Sequence, residues 1–139
     1  MNIDLLKNVP VQRPAQGLAI VRTAVALILI VHPIHGMMDP AGMRSFGEGL
    51  SADGFPLGIA LPWLIVALQF TGCLGLVFNR VVVLSCIFNL VVLIVGVFYI
   101  HISSGWFVVG AGRNGVEYSL LLIACLSGMM WAYWPRKQQ

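Results

Sequence analysis

Four side chains stand out because they are costly to place in the surroundings this sequence provides. His32 and His35 are spaced i,i+3 around Pro33, His101 follows a long apolar run, and Glu117 precedes another. An ionisable group at the end of an apolar helix marks a functional site by default. Two imidazoles and a carboxylate could exchange protons with a quinol, or could bind a metal ion. The metal reading is the less favoured. There is no His-x-x-x-His or Cys-x-x-Cys spacing, and Met37, Met38 and Met43 are a weak copper cue because methionine is common in apolar cores. Plainer roles stand beside these. His32 and His35 could reach interfacial water, and Glu117 could pair with Arg113 at i,i+4 or sit at the positive end of a helix dipole.

A second constellation is polar without being charged. Gln69 lies ten residues before Asn79, and Asn89 lies nine after Arg80. At about 1.5 Å per residue, both amides fall about 15 Å from the turn at Asn79-Arg80. Cys73 and Cys86 share a shallower depth, and the spacings Gln69/Cys73 (i,i+4) and Cys86/Asn89 (i,i+3) put each pair on one helix face. The expectation is an interhelical polar seam. Packing is favoured over ligand binding, since buried amides commonly join neighbouring helices for about 0.6–2 kcal/mol.

The elements that must hold these groups follow from composition. Hydrophobic residues make up 59% of the 139 residues and charged ones 9%, with a mean hydropathy of +0.92. Eight basic and five acidic residues cannot coat a soluble domain of this size. A net charge of +3 is no nucleic-acid footprint, and three cysteines cannot build a disulfide scaffold. The apolar stretches 17–38, 57–78, 81–102 and 116–134 each approach the roughly 20 residues that cross a bilayer as a helix. They are apolar all round, where barrel strands would alternate. The expected fold is therefore all-α, a four-transmembrane-helix bundle forming one membrane domain over 1–139. Residues 1–16 read as a cytoplasmic arm. The segments 39–56 and 103–115 read as outer loops, rich in glycine and avoiding regular helix.

Lys7, Arg13, Arg22, Arg80, Arg136 and Lys137 fall on one side of such a bundle, and Arg44 and Arg113 on the other. The positive-inside rule then puts both termini in the cytoplasm, with the three histidines and Glu117 toward the opposite face. Arg22, one turn into the first span, is expected to snorkel to the cytoplasmic headgroups.

Several of these residues together resemble the DoxX family of small four-helix membrane proteins. They are Arg22, His35-Gly36, a Gly/Phe-containing loop leading to Pro56, Gly72 and Gly75 before Arg80, Gly105-Trp106-Phe107, and Gly115-Val116-Glu117-Tyr118. The resemblance covers about Leu18 to Trp134 as a pattern of spacing, and departs from relatives at Gln69, often acidic there, and at Asp39, often Lys. It implies a subunit of a quinone-linked redox system in the prokaryotic cytoplasmic membrane. A quinone or other apolar ligand would bind near the outer face, between His35, His101, Glu117 and His32, with Trp106 and Phe107 as walls. The chain carries no haem, iron–sulfur or dinucleotide motif, so it would not be catalytic alone. The alternative is a non-catalytic accessory or assembly subunit packed against a larger membrane complex, or a homo-oligomer. Fold does not choose between them.

Overall fold

Proline and aspartate set where the helices begin. The computed structural model describes residues 11–109 and 114–135; Lys7, Arg113, Arg136, Lys137 and most of the expected arm lie outside them. Pro14 opens α1 (Pro14–Leu29), where a missing N–H costs nothing. Pro33 then removes the donor that the Leu29 carbonyl would take, and the helix divides at Ile30 into α1 and α2 (Val31–Met38). Backbone bonds from Ile30 to Ala26 (3.0 Å) and from Ile34 to Ile30 (3.2 Å) carry the axis across the division.

The expected loop over 39–56 is mostly helix. Asp39 caps α3 (Pro40–Ala52) by accepting from the Gly42 N–H at 3.0 Å, and Pro40 takes the first helical position. Gly47 serves a close approach instead of breaking the helix. A Cβ on Gly47 would stand 2.8 Å from the Ile59 Cα, so only glycine lets α3 lie on the following chain.

The remaining boundaries sit within a few residues of expectation: α4 (Leu61–Val77), α5 (Val82–Gly96) and α6 (Glu117–Tyr133). Asn79, with φ of 54°, ends α4 in a Schellman turn. Arg80 N–H reaches the Gly75 carbonyl at 2.8 Å and Asn79 N–H the Leu76 carbonyl at 3.2 Å. That turn makes α4 and α5 antiparallel neighbours, as its shortness predicts. Beyond α5 the chain widens into a π turn, Val97–His101, and tightens into a 3₁₀ turn, Ile102–Ser104.

Helices α1, α4, α5 and α6 pack in a ring, each against the next, while α2 and α3 lie against α4. No strand occurs among the described residues. The core between the four is Val25, Ala26, Leu29, Cys73, Leu76, Val82, Cys86, Leu90, Leu122, Leu126 and Met129. Two helical stretches, Pro14–Met38 and Val82–Ser104, are long and apolar enough to cross a membrane. Only 28% of each apolar window is buried inside the bundle, whereas the core helix of a soluble protein hides most of its apolar face. The rest of that surface, including Ile20, Leu27, Val91 and Phe98, points outward.

Arg22 differs from expectation. It is 7% exposed, and its Nη1 donates to the Val77 carbonyl at 3.3 Å, while Nε has no partner among the described residues. The inward turn has a physical reason. Val77 ends α4, where carbonyls lack helical donors and the dipole is negative, so a cation is favoured there.

Candidate functional site

The polar seam forms, without Gln69. Cys73 Sγ approaches Asn89 Oδ1 at 3.8 Å, and Asn89 Nδ2 donates to the Ser85 carbonyl, one turn back on its own helix, at 2.9 Å. Cys73, Cys86 and Asn89 are each fully buried. Gly72 allows this approach, since a Cβ there would meet Asn89 Nδ2 at 2.6 Å. This part of the bundle is closed, and its amide is satisfied within the protein.

Gln69 faces a different space. Toward the end of the bundle that carries the histidines lies a cavity of about 370 Å³. Leu29, Val92, Leu93, Gly96, Ile100, Val108 and Leu122 form most of its wall, and His32, Gln69, His101, Asn114, Tyr118 and Ser119 also line it. Small-molecule sites occupy about 300–1,000 Å³ and combine an apolar wall with a few convergent polar groups. Gln69 is 7% exposed and Ser119 is 6% exposed, and neither side chain has a hydrogen-bond partner among the described residues.

Each lining group is placed by a local feature of the chain. His32 sits at the junction of α1 and α2 created by Pro33. His101 ends the π turn. Eight residues at about 100° each would leave it about 80° off the Leu93 face in a regular helix, and the wider turn closes that offset. His101 Nδ1 lies 2.8 Å from the Asn114 carbonyl oxygen. Asn114, with φ of 63°, adopts the left-handed conformation that asparagine tolerates better than most residues. Ser119 and Leu122 lie on the inward face of α6 that continues through Leu126 and Met129.

The other candidates lie elsewhere. His35 is exposed on α2 and does not line the cavity, because α2 runs past the rim against α4 and α3. Trp106 and Phe107 are 56% and 51% exposed and do not wall the cavity. Their backbone contributes instead. Glu117 N–H donates to the Trp106 carbonyl at 3.1 Å, Gly115 N–H to the Phe107 carbonyl at 3.2 Å, and Val116 N–H to the Gly105 carbonyl at 3.1 Å. The Glu117 carboxylate accepts from the Val108 N–H at 2.9 Å, at the positive end of α6. It therefore anchors the loop that covers the cavity and is not one of the cavity's lining groups.

Asn114, Tyr118 and Ser119 were not foreseen as site residues. Ser119 carried a signal: it is the polar member of the i,i+3/i+4 series Ser119, Leu122, Leu126, Met129. A further contact braces the same end. Tyr99 Oη donates to Asp53, and the Phe55 ring meets Tyr99 edge-on at 5.2 Å. Among the described residues, no three His, Cys, Asp or Glu side chains converge as a metal site. The arrangement offers hydrogen bonds to an apolar ring bearing oxygen atoms. No family model matches the chain, and no curated protein or solved structure matches it at a significant level.

Proposed function

We propose that the chain is an integral membrane protein of four spans with both termini cytoplasmic, and that it binds the ring of a quinone in the cavity at its histidine end. The observation that carries this reading is Gln69, an amide 7% exposed and without a hydrogen-bond partner among the described residues, lining the same apolar-walled cavity as His32 and His101. Its amide opens on the cavity, where it is free to pair with a polar group of a ligand. Val82–Ser104, 23 residues long, spans about 34 Å as a helix, which matches a hydrocarbon core of about 30 Å. The helices Leu61–Val77 and Glu117–Tyr133 have 17 residues each, the lower end of the spanning range of about 17–25. Arg13 and Arg80 at the opposite end of the bundle suit the cytoplasmic side.

The sequence carries no haem, iron–sulfur or dinucleotide motif, so in this reading the electron carrier belongs to a partner protein. That arrangement agrees with the DoxX-like pattern of a quinone oxidoreductase subunit. A partner would bring the carrier, and this chain would hold the ring, exclude water and offer imidazoles for its protons.

The test is equilibrium binding of a decyl-substituted benzoquinone to the purified full-length protein. Saturable binding is expected, weakened about ten-fold or more by Gln69→Leu and by His32→Phe, since each tenfold corresponds to about 1.4 kcal/mol. His35→Ala leaves it unchanged. No binding of either the quinone or its hydroquinone by the unaltered protein, or loss with His35→Ala but not with Gln69→Leu, overturns the assignment. A stoichiometric membrane partner that co-purifies without retained quinone is the outcome expected of an accessory or assembly subunit.

A further inference from the structure

We propose that His101 makes this cavity selective for a ring bearing a hydroxyl, so that a hydroquinone or phenol is held in preference to the corresponding carbonyl-only quinone. The inference rests on the quinone-site reading and adds to it the chemical form of the ligand. Its basis is the contact between His101 Nδ1 and the Asn114 carbonyl oxygen at 2.8 Å. A backbone carbonyl can only accept, so Nδ1 carries a proton. In a neutral imidazole the other nitrogen, Nε2, is then an acceptor with no proton to give.

The remaining polar groups around the cavity do not discriminate. The Gln69 and Asn114 amides and the Ser119 and Tyr118 hydroxyls can each donate or accept, and His32 has no bond among the described residues that fixes its tautomer. Among the described lining residues, His101 has its role set before the ligand arrives. A ligand hydroxyl facing Nε2 donates to it. A quinone carbonyl in the same position opposes one lone pair with another and leaves Nε2 unpaired. Sites that hydrogen-bond a hydroxyl discriminate strongly against analogues lacking it, because the buried partner is left unsatisfied.

Two features of the fold preset this tautomer. The π turn Val97–His101 brings the imidazole to the cavity wall, and the left-handed Asn114, φ 63°, presents its carbonyl to Nδ1. Asn114 acts through its backbone and is a positioning residue.

The experiment compares dissociation constants of decyl-substituted benzoquinone and its hydroquinone, under anaerobic conditions at about pH 8.5, where free imidazole is neutral. For the unaltered protein the hydroquinone binds about ten-fold or more tightly. His101→Phe brings the ratio to about one by weakening the hydroquinone alone, and His35→Ala, outside the cavity, keeps the unaltered ratio. If the phenylalanine variant does not fold, His101→Gln serves, since its amide can turn either group to the ligand and the ratio again falls toward one. Equal affinities in the unaltered protein, or an unchanged ratio in the His101 variants, overturn the selectivity and leave the quinone site standing. Failure of both forms to bind overturns the quinone site and this inference together.

Discussion

Asn89 and Gln69 are two amides at similar depth in the bundle with opposite fates. Asn89 is fully buried, donates to Ser85 on its own helix and lies against the Cys73 thiol, so its needs are met inside the protein. Gln69, one turn before Cys73 on α4, makes no hydrogen bond among the described residues and borders a cavity. The difference comes from what each faces. Gly72 lets α4 and α5 close on Asn89, whereas beyond Gly96 the π turn widens α5 and leaves room near Gln69. A polar residue in an apolar helix thus reads as structural or functional according to whether the fold supplies its partner.

The largest effect that would test this contrast is a cavity cut into the closed half. Leu76, with no exposed surface, is replaced by alanine at an expected cost of about 2–5 kcal/mol. Leu122, which already borders the cavity, is expected to lose less, about 1–2 kcal/mol, because part of its surface has no packing partner to lose. Reversible unfolding in mixed micelles measures both. Equal losses would mean that the two halves are packed alike.

Overpacking the seam comes next. Gly72→Ala puts a Cβ 2.6 Å from Asn89 Nδ2 and 3.2 Å from the Ser85 carbonyl oxygen. The expected destabilisation is about 1–3 kcal/mol, since the helices must separate or Asn89 must leave its bond. The same unfolding measurement applied to Gly96→Ala, where an added Cβ meets nothing within 4 Å, should show almost no loss. That pair of glycines compares the closed and open ends of one interface.

The two amides can be compared directly. Asn89→Leu is expected to destabilise by about 1 kcal/mol, through loss of the Ser85 bond and a poorer fit beneath Gly72. Gln69→Leu is expected to be neutral or slightly stabilising, because it removes an amide with no hydrogen-bond partner among the described residues. Opposite signs for the two variants keep the contrast. A loss of similar size in both would make Gln69 a structural residue.

Hydropathy located the main helices to within a few residues because long runs that are apolar all round have few alternatives to helix. It did not locate α3, since Gly42, Gly47 and Gly49 read as helix breakers when at least Gly47 serves a close approach. Depth along a helix was legible for Gln69 and Asn89, but their direction around the axis was not. That is why one seam became a seam and a cavity. The π turn has no compositional signature, so His101 could be assigned to the site but its orientation could not. Arg22 was misdirected because the carbonyl that receives it, Val77, lies 55 residues away in the chain. Glu117 takes the helix-dipole position that its sequence context offers, at the start of α6, but its carboxylate holds the Val108 N–H and does not line the cavity as a ligand group.

The smallest effect concerns that anchor. The chain from Gly105 to Val108 is held against the start of α6 by backbone bonds and by the one bond from Val108 to the Glu117 carboxylate. Glu117→Ala removes the side-chain bond and leaves the backbone bonds in place. A hydrogen bond to a charged group contributes about 1.5–3 kcal/mol at most, and this partly buried one at a loop is expected near the lower end, about 1 kcal/mol after solvent competes for the freed N–H. That corresponds to about a five-fold rise in local opening, read as faster hydrogen exchange at Val108 and its neighbours. Exchange at Asn89 and Leu90 should not change, because the seam does not depend on this loop. If the seam amides accelerate as well, the two halves open as one unit, and the closed and open regions are not independent parts of the bundle.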